Sequence, residues 1–189
     1  MSDVTPPAVP AGAPATPRWT DPDRLLYRAP ASRTLRNVLI AVAVAWAIKL
    51  ATELIWLIRR FIWTIDDGPG DIPDAFRDFA DDGILDPLLF FVAAGALLVL
   101  VLPILPETPL LRVLMRVAVA GVGGFVVLTI KGLITAIGNN LDGFYFGYFL
   151  NSWIGLPLLI AIELTTLLAV GAAVAWALAN RKKAATPAK

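Results

Sequence analysis

Four ionisable side chains stand in otherwise apolar stretches: Lys49, Glu53, Lys131 and Glu163. Lys49 and Glu53 are four residues apart, which puts both on one face of a helix. If the apolar stretches cross a bilayer, a rise of about 1.5 Å per residue places Lys49 and Glu163 near its middle. Glu53 falls one turn further out, and Lys131 falls in the outer part of its helix. A charge at that depth costs roughly 2.5–3.5 kcal/mol on insertion scales, so such groups turn towards protein or water. The spacing predicts a buried network in which Lys49 pairs with Glu163. Glu53 would be reached by Lys49, by Lys131 or by Arg59 and Arg60 at the outer end of the first stretch. Two chemistries suit these residues. Opposite charges can simply neutralise one another and fix helix register, or Glu53 and Glu163 can exchange protons along an ion path. Lys131, Arg59 and Arg60 are also long enough to snorkel to the interface, which requires no function.

The elements that must hold these residues are apolar blocks. Of 189 residues, 58% are hydrophobic and 16% charged, against roughly 45–50% and 25% in soluble domains. A hydrocarbon core about 30 Å thick needs around 20 residues of helix, and a helix satisfies its own backbone where lipid cannot. The sequence predicts an all-α polytopic protein with four spans in a compact bundle, at about 38–58, 87–105, 110–137 and 153–178. Residues 1–34 hold Pro6, Pro7, Pro10, Pro14, Pro17, Pro22 and Pro30 and read as a disordered tail, with no signal-peptide core near Met1. Residues 181–189 form a second, basic tail.

Orientation follows from lysine and arginine in the flanks. Arg24, Arg28, Arg33 and Arg36 precede the first span, Arg181, Lys182, Lys183 and Lys189 follow the fourth, and Arg112 and Arg116 mark the middle turn. Both termini are therefore expected on the cytoplasmic side of a bacterial plasma membrane. The halves also resemble each other: VAVA at 42–45, IK at 48–49 and PLL at 87–89 recur as VAVA at 117–120, IK at 130–131 and PLL at 157–159. The spacings differ. A duplicated helical hairpin would explain the match, and so would chance in apolar sequence.

The outer connections differ in kind. Asp66 to Asp86 holds eight aspartates and one arginine, Arg77. Within it Ile72, Phe76, Phe79 and Ala80 oppose Asp74, Asp78, Asp81 and Asp82, predicting a short helix on the outer membrane surface between Pro73 and Gly83. The DDGPGD run at 66–71 lacks calcium-loop spacing, so a solvated acidic loop is expected rather than a metal site. The second connection gathers Phe144, Tyr145, Phe146, Tyr148, Phe149 and Trp153. These rings suit an aromatic belt at headgroup level, or a docking surface for another membrane subunit. Ala43 and Ala47, and Ala120 with Gly121, Gly123 and Gly124, allow close helix approach within a bundle or a dimer.

The chain has no cysteine and no histidine, which removes disulfides, thiolate nucleophiles and imidazole ligands or bases. No cofactor, metal or nucleic-acid partner is expected. The expected function is that of a non-catalytic accessory or interaction subunit, with lipid, other membrane subunits or a second copy as partners. The alternative is a small oligomeric ion- or proton-coupled transporter or channel using the Lys/Glu cluster.

Overall fold

The computed structural model describes residues 31–67, 72–105, 107–139 and 145–184. Within them the chain is helical and has no strand. Four helical stretches, Ser32–Ile62, Ile72–Leu100, Leu110–Gly138 and Phe146–Arg181, are long and apolar enough to cross a membrane. Helix α1 is Ala31–Asp67, α2 is Ile72–Ala80 and α3 is Asp86–Leu100. Helix α4 is Leu110–Asn139, α5 is Phe146–Leu150 and α6 is Leu156–Ala184. Of the tail expected to be disordered, residues 1–30 lie outside the described residues, as do 185–189 of the basic tail, Phe144 and most of the DDGPGD run, whereas residues 31–34 are helical. Helix α1 begins seven residues before the expected 38, because Thr34 and Asn37 are already buried against the bundle.

The segments before α3 and α6 each run into the following helix through one wide turn. Residues Asp81–Leu85 and Asn151–Gly155 are π-helical, with Asp86 N–H bonded to the Asp81 carbonyl and Leu156 N–H to that of Asn151. Pro87 and Pro157 follow directly. Proline lacks an N–H and its ring crowds the carbonyl four residues back; widening the turn by one residue relieves that crowding without breaking the helix. The freed Gly83 carbonyl accepts from Trp46 Nε1 at 3.4 Å. Gly83 therefore does not end the acidic helix, as the sequence suggested. It is a contact point where a Cβ would sit 3.3 Å from that of Glu53. Nor is α2 a separate surface helix. It runs on into α3, with Ala75 buried and the Phe76 ring edge-on to Phe61 at 5.4 Å.

In cross-section the order is α1, α3, α4, α6, with α6 closing back on α1 and α1 diagonal to α4. The core is Phe90, Phe91, Ala94 and Leu98 of α3, Val113, Val117, Ala120 and Leu128 of α4, and Leu164, Leu168 and Ala172 of α6, against Val38, Ala41 and Ala45. Small residues bring the helices together inside this unit. A Cβ at Gly124 would overlap the Phe90 ring, and one at Gly171 would overlap the Ala41 carbonyl. Each of the four long apolar stretches also turns large aliphatic side chains outward, among them Leu39, Ile55, Val92, Val122, Ile134, Leu159 and Val170. Helices apolar all round need an apolar surrounding.

The tight return at 101–109 is tied by the three helices around it. Pro103, Pro106 and Pro109 provide no N–H, so its carbonyls need other donors. Asn37 Nδ2 of α1 donates to the Ile104 carbonyl at 3.1 Å, and Trp176 Nε1 of α6 donates to that of Thr108 at 2.9 Å. Arg116 of α4 donates to the Pro103 carbonyl. One end of the bundle is thereby fixed.

Candidate functional site

The polar groups collect in the half of the bundle that carries α2 and α5. Lys49 points inward from α1 because its neighbours Val38, Ala41 and Ala45 set that face as the buried one. Its ammonium lies 2.8 Å from Glu163 Oε1 of α6 and 2.7 Å from Glu53 Oε1 on its own helix. Thr52 Oγ1 donates to the Lys49 carbonyl at 2.7 Å, within the same turn. One cation thus serves two carboxylates. Side-chain exposure ranks them: Lys49 7%, Glu53 20% and Glu163 47%. The lysine is inside, and Glu163 lies at the edge of the outer surface.

Lys131 does not join this group. Its Nζ reaches Asp86 Oδ1 at 2.5 Å, and Asp86 is buried at the start of α3. The alternative in which Lys131 serves Glu53 is corrected by helix placement, since α1 and α4 are diagonal and α3 stands beside α4. From the sequence Asp86 reads as part of the acidic loop. Its cue in the sequence was modest: it stands directly before Pro87, at the first turn of an apolar run, where a carboxylate is favourable.

Arg60 is directed to α2 and to the Trp56 ring. Arg60 forms an ion pair with Asp78 of α2 at 2.6 Å, and its guanidinium stands 5.7 Å from the centre of the Trp56 ring. Arg59 is on the exposed side of α1. Asp78, Glu53 and Asp82 line a cavity of about 210 Å³ with Trp56, Leu57, Ala75 and Phe79. Asp82 also lines a second cavity of about 190 Å³, between the hairpins, with Asp86, Lys131, Thr135, Tyr148 and Ser152. No group of side chains suited to a metal ion occurs among the described residues.

The aromatic residues sit mostly on α5 and the wide turn after it. Tyr145, Phe146 and Tyr148 are exposed, while Phe149 and Trp153 are half-buried with ring centres 5.7 Å apart. Tyr148 turns partly inward to the second cavity. No protein-family model matches the chain, and comparison with curated proteins and with solved structures finds no match.

Proposed function

We propose that this chain is a multi-pass protein of a bacterial plasma membrane, with both termini cytoplasmic, acting as a non-catalytic accessory or interaction subunit. Four apolar helices with apolar outer faces support the bilayer as its surroundings. The basic residues around the start of α1 and the end of α6, with Arg112 and Arg116 just after the return at 101–109, support the orientation, and a composition rich in alanine and arginine fits the source.

One observation carries the functional reading. Beyond Lys49, towards the return at 101–109, the space between the helices is filled by Ala41, Phe90, Phe91, Leu98, Val113, Val117, Leu164 and Leu168. The polar groups lead into an apolar core rather than across it, so their effect is to lock four helices together and shape a surface. Purification in mild detergent tests this. A stoichiometric partner is the expected result; a homo-oligomer that conducts ions or protons in liposomes would overturn it.

A second reading has its own support. Asp82 lines both polar cavities, one with Glu53 and Asp78 and the other with Asp86 and Lys131. Carboxylates arranged in this way suit proton or cation exchange within one half of a membrane. Flux that depends on Asp82 and disappears in Asp82→Asn would establish it.

A further inference from the structure

We infer that the exposed seam of α6 centred on Glu163 docks a partner transmembrane helix that carries a lysine or arginine at mid-membrane. The inference deepens the interaction-subunit reading and rests on it.

Three observations lead there. First, the charge is unbalanced at this depth: Lys49 is one ammonium shared by two carboxylates, Glu53 and Glu163. Second, the two carboxylates are not equivalent. Glu53 is mostly enclosed beneath Gly83, whereas nearly half of the Glu163 side chain faces outward from the middle of the fourth apolar stretch, Phe146–Arg181. Intramembrane carboxylates face protein or water rather than lipid, so an outward one implies a cover. Third, the surrounding surface has the form of a helix-packing seam. Leu159, Glu163, Thr166 and Val170 are all exposed at spacings of four, three and four residues, the repeat that accepts a partner helix.

Charge complementarity identifies the occupant. It must bring a positive charge to Glu163 and apolar side chains to Leu159 and Val170. A second copy of this chain brings no spare cation at that level, since both mid-helix lysines are already committed. Lys49 lies within 2.8 Å of Glu53 and Glu163, and Lys131 within 2.5 Å of Asp86.

The test uses the full chain in phosphatidylcholine vesicles. Because the sequence has no cysteine, a single Ser32→Cys provides one fluorophore site. The probes are labelled 23-residue Leu/Ala transmembrane peptides with a central Lys or a central Leu, and the readout is energy transfer against peptide density. The Lys peptide is expected to associate at least tenfold more tightly than the Leu peptide. Glu163→Gln should abolish that preference. Thr166→Trp leaves every ion pair in place and blocks the seam, so it should reduce Lys-peptide association at least tenfold even if Glu163→Gln folds poorly.

Equal association of the two peptides overturns the inference, as does a preference that survives both variants. Transfer between protein copies that depends on Glu163 would assign the seam to self-association and overturn it as well. Co-flotation of the protein with vesicles tests the membrane reading separately, and flux measured without peptide tests the subunit reading. Failure at the seam is thus distinguishable from failure of either.

Discussion

The two hairpins use one plan with different side chains. Each has a long first helix with an Ile-Lys pair, Lys49 in α1 and Lys131 in α4, then a short outer helix, a wide turn and a Pro-Leu-Leu entry to the second helix. Each lysine takes its inter-helix carboxylate from the second helix of the other hairpin: Lys49 from Glu163 of α6, Lys131 from Asp86 of α3. Both ion pairs therefore cross the seam between hairpins and hold the halves in register. The hairpins differ in their outer segments. The first is acidic and closes over Glu53 through α2, whereas the second is aromatic and presents Tyr145, Phe146 and Tyr148 outward. Charge that must be buried is exchanged between halves, and surface chemistry is left to each half alone.

The clearest way to break the comparison is to remove one lysine at a time. Lys49→Met strands two carboxylates and should lower the unfolding free energy by about 3–5 kcal/mol, read by denaturant titration in detergent. A loss below about 1 kcal/mol would mean that this pair is not buried in the folded protein. Lys131→Met should cost less, about 1–3 kcal/mol, because Lys131 is itself part-exposed and strands one acid. The double variant Lys131→Met/Asp86→Leu should recover much of that loss; no recovery would argue that Asp86 has another role.

The glycines beside the two wide turns sharpen the contrast. At Gly132 a Cβ would lie 2.6 Å from the Ser152 carbonyl oxygen and 3.0 Å from that of Trp153, backbone atoms that cannot yield cheaply. Gly132→Ala should cost about 1–3 kcal/mol as an overpacked contact. At Gly83 the nearest atoms are the Glu53 side chain at 3.3 and 3.4 Å and the Phe79 ring, so Gly83→Ala should stay within about 0.5 kcal/mol. Equal melting shifts for the two alanine variants would show that the turns are packed alike. The smallest effect belongs to the outer rim. Arg60→Gln removes a part-exposed ion pair with Asp78, and its cost should be no more than about 1 kcal/mol and shrink as salt is raised.

Several of these features were legible in the residues and others were not. Helix number and type followed from apolar length, because a span must satisfy its own backbone and that demand is local to each segment. The i,i+4 relation of Lys49 and Glu53 was equally local, and counting depth brought Lys49 and Glu163 to one level. The partner of Lys131 was not readable, since depth counting does not say which helices are neighbours. The wide turns at Asp81–Leu85 and Asn151–Gly155 were not readable either; at the first, Gly83 and Pro87 look like helix boundaries, whereas a π-turn lets the helix continue through them.

The amino-acid order by itself determined four apolar helices, the positions of the charged groups along them, and the acidic and aromatic character of the two connections. All of these depend on residue type and on the fixed rise of a helix. The tertiary structure decided which lysine meets which carboxylate, that Glu53 is covered while Glu163 faces out, and that the proline-rich return is tied by Asn37, Arg116 and Trp176. Those outcomes depend on how each helix is rotated and which neighbour it meets, and packing against the other three helices sets both.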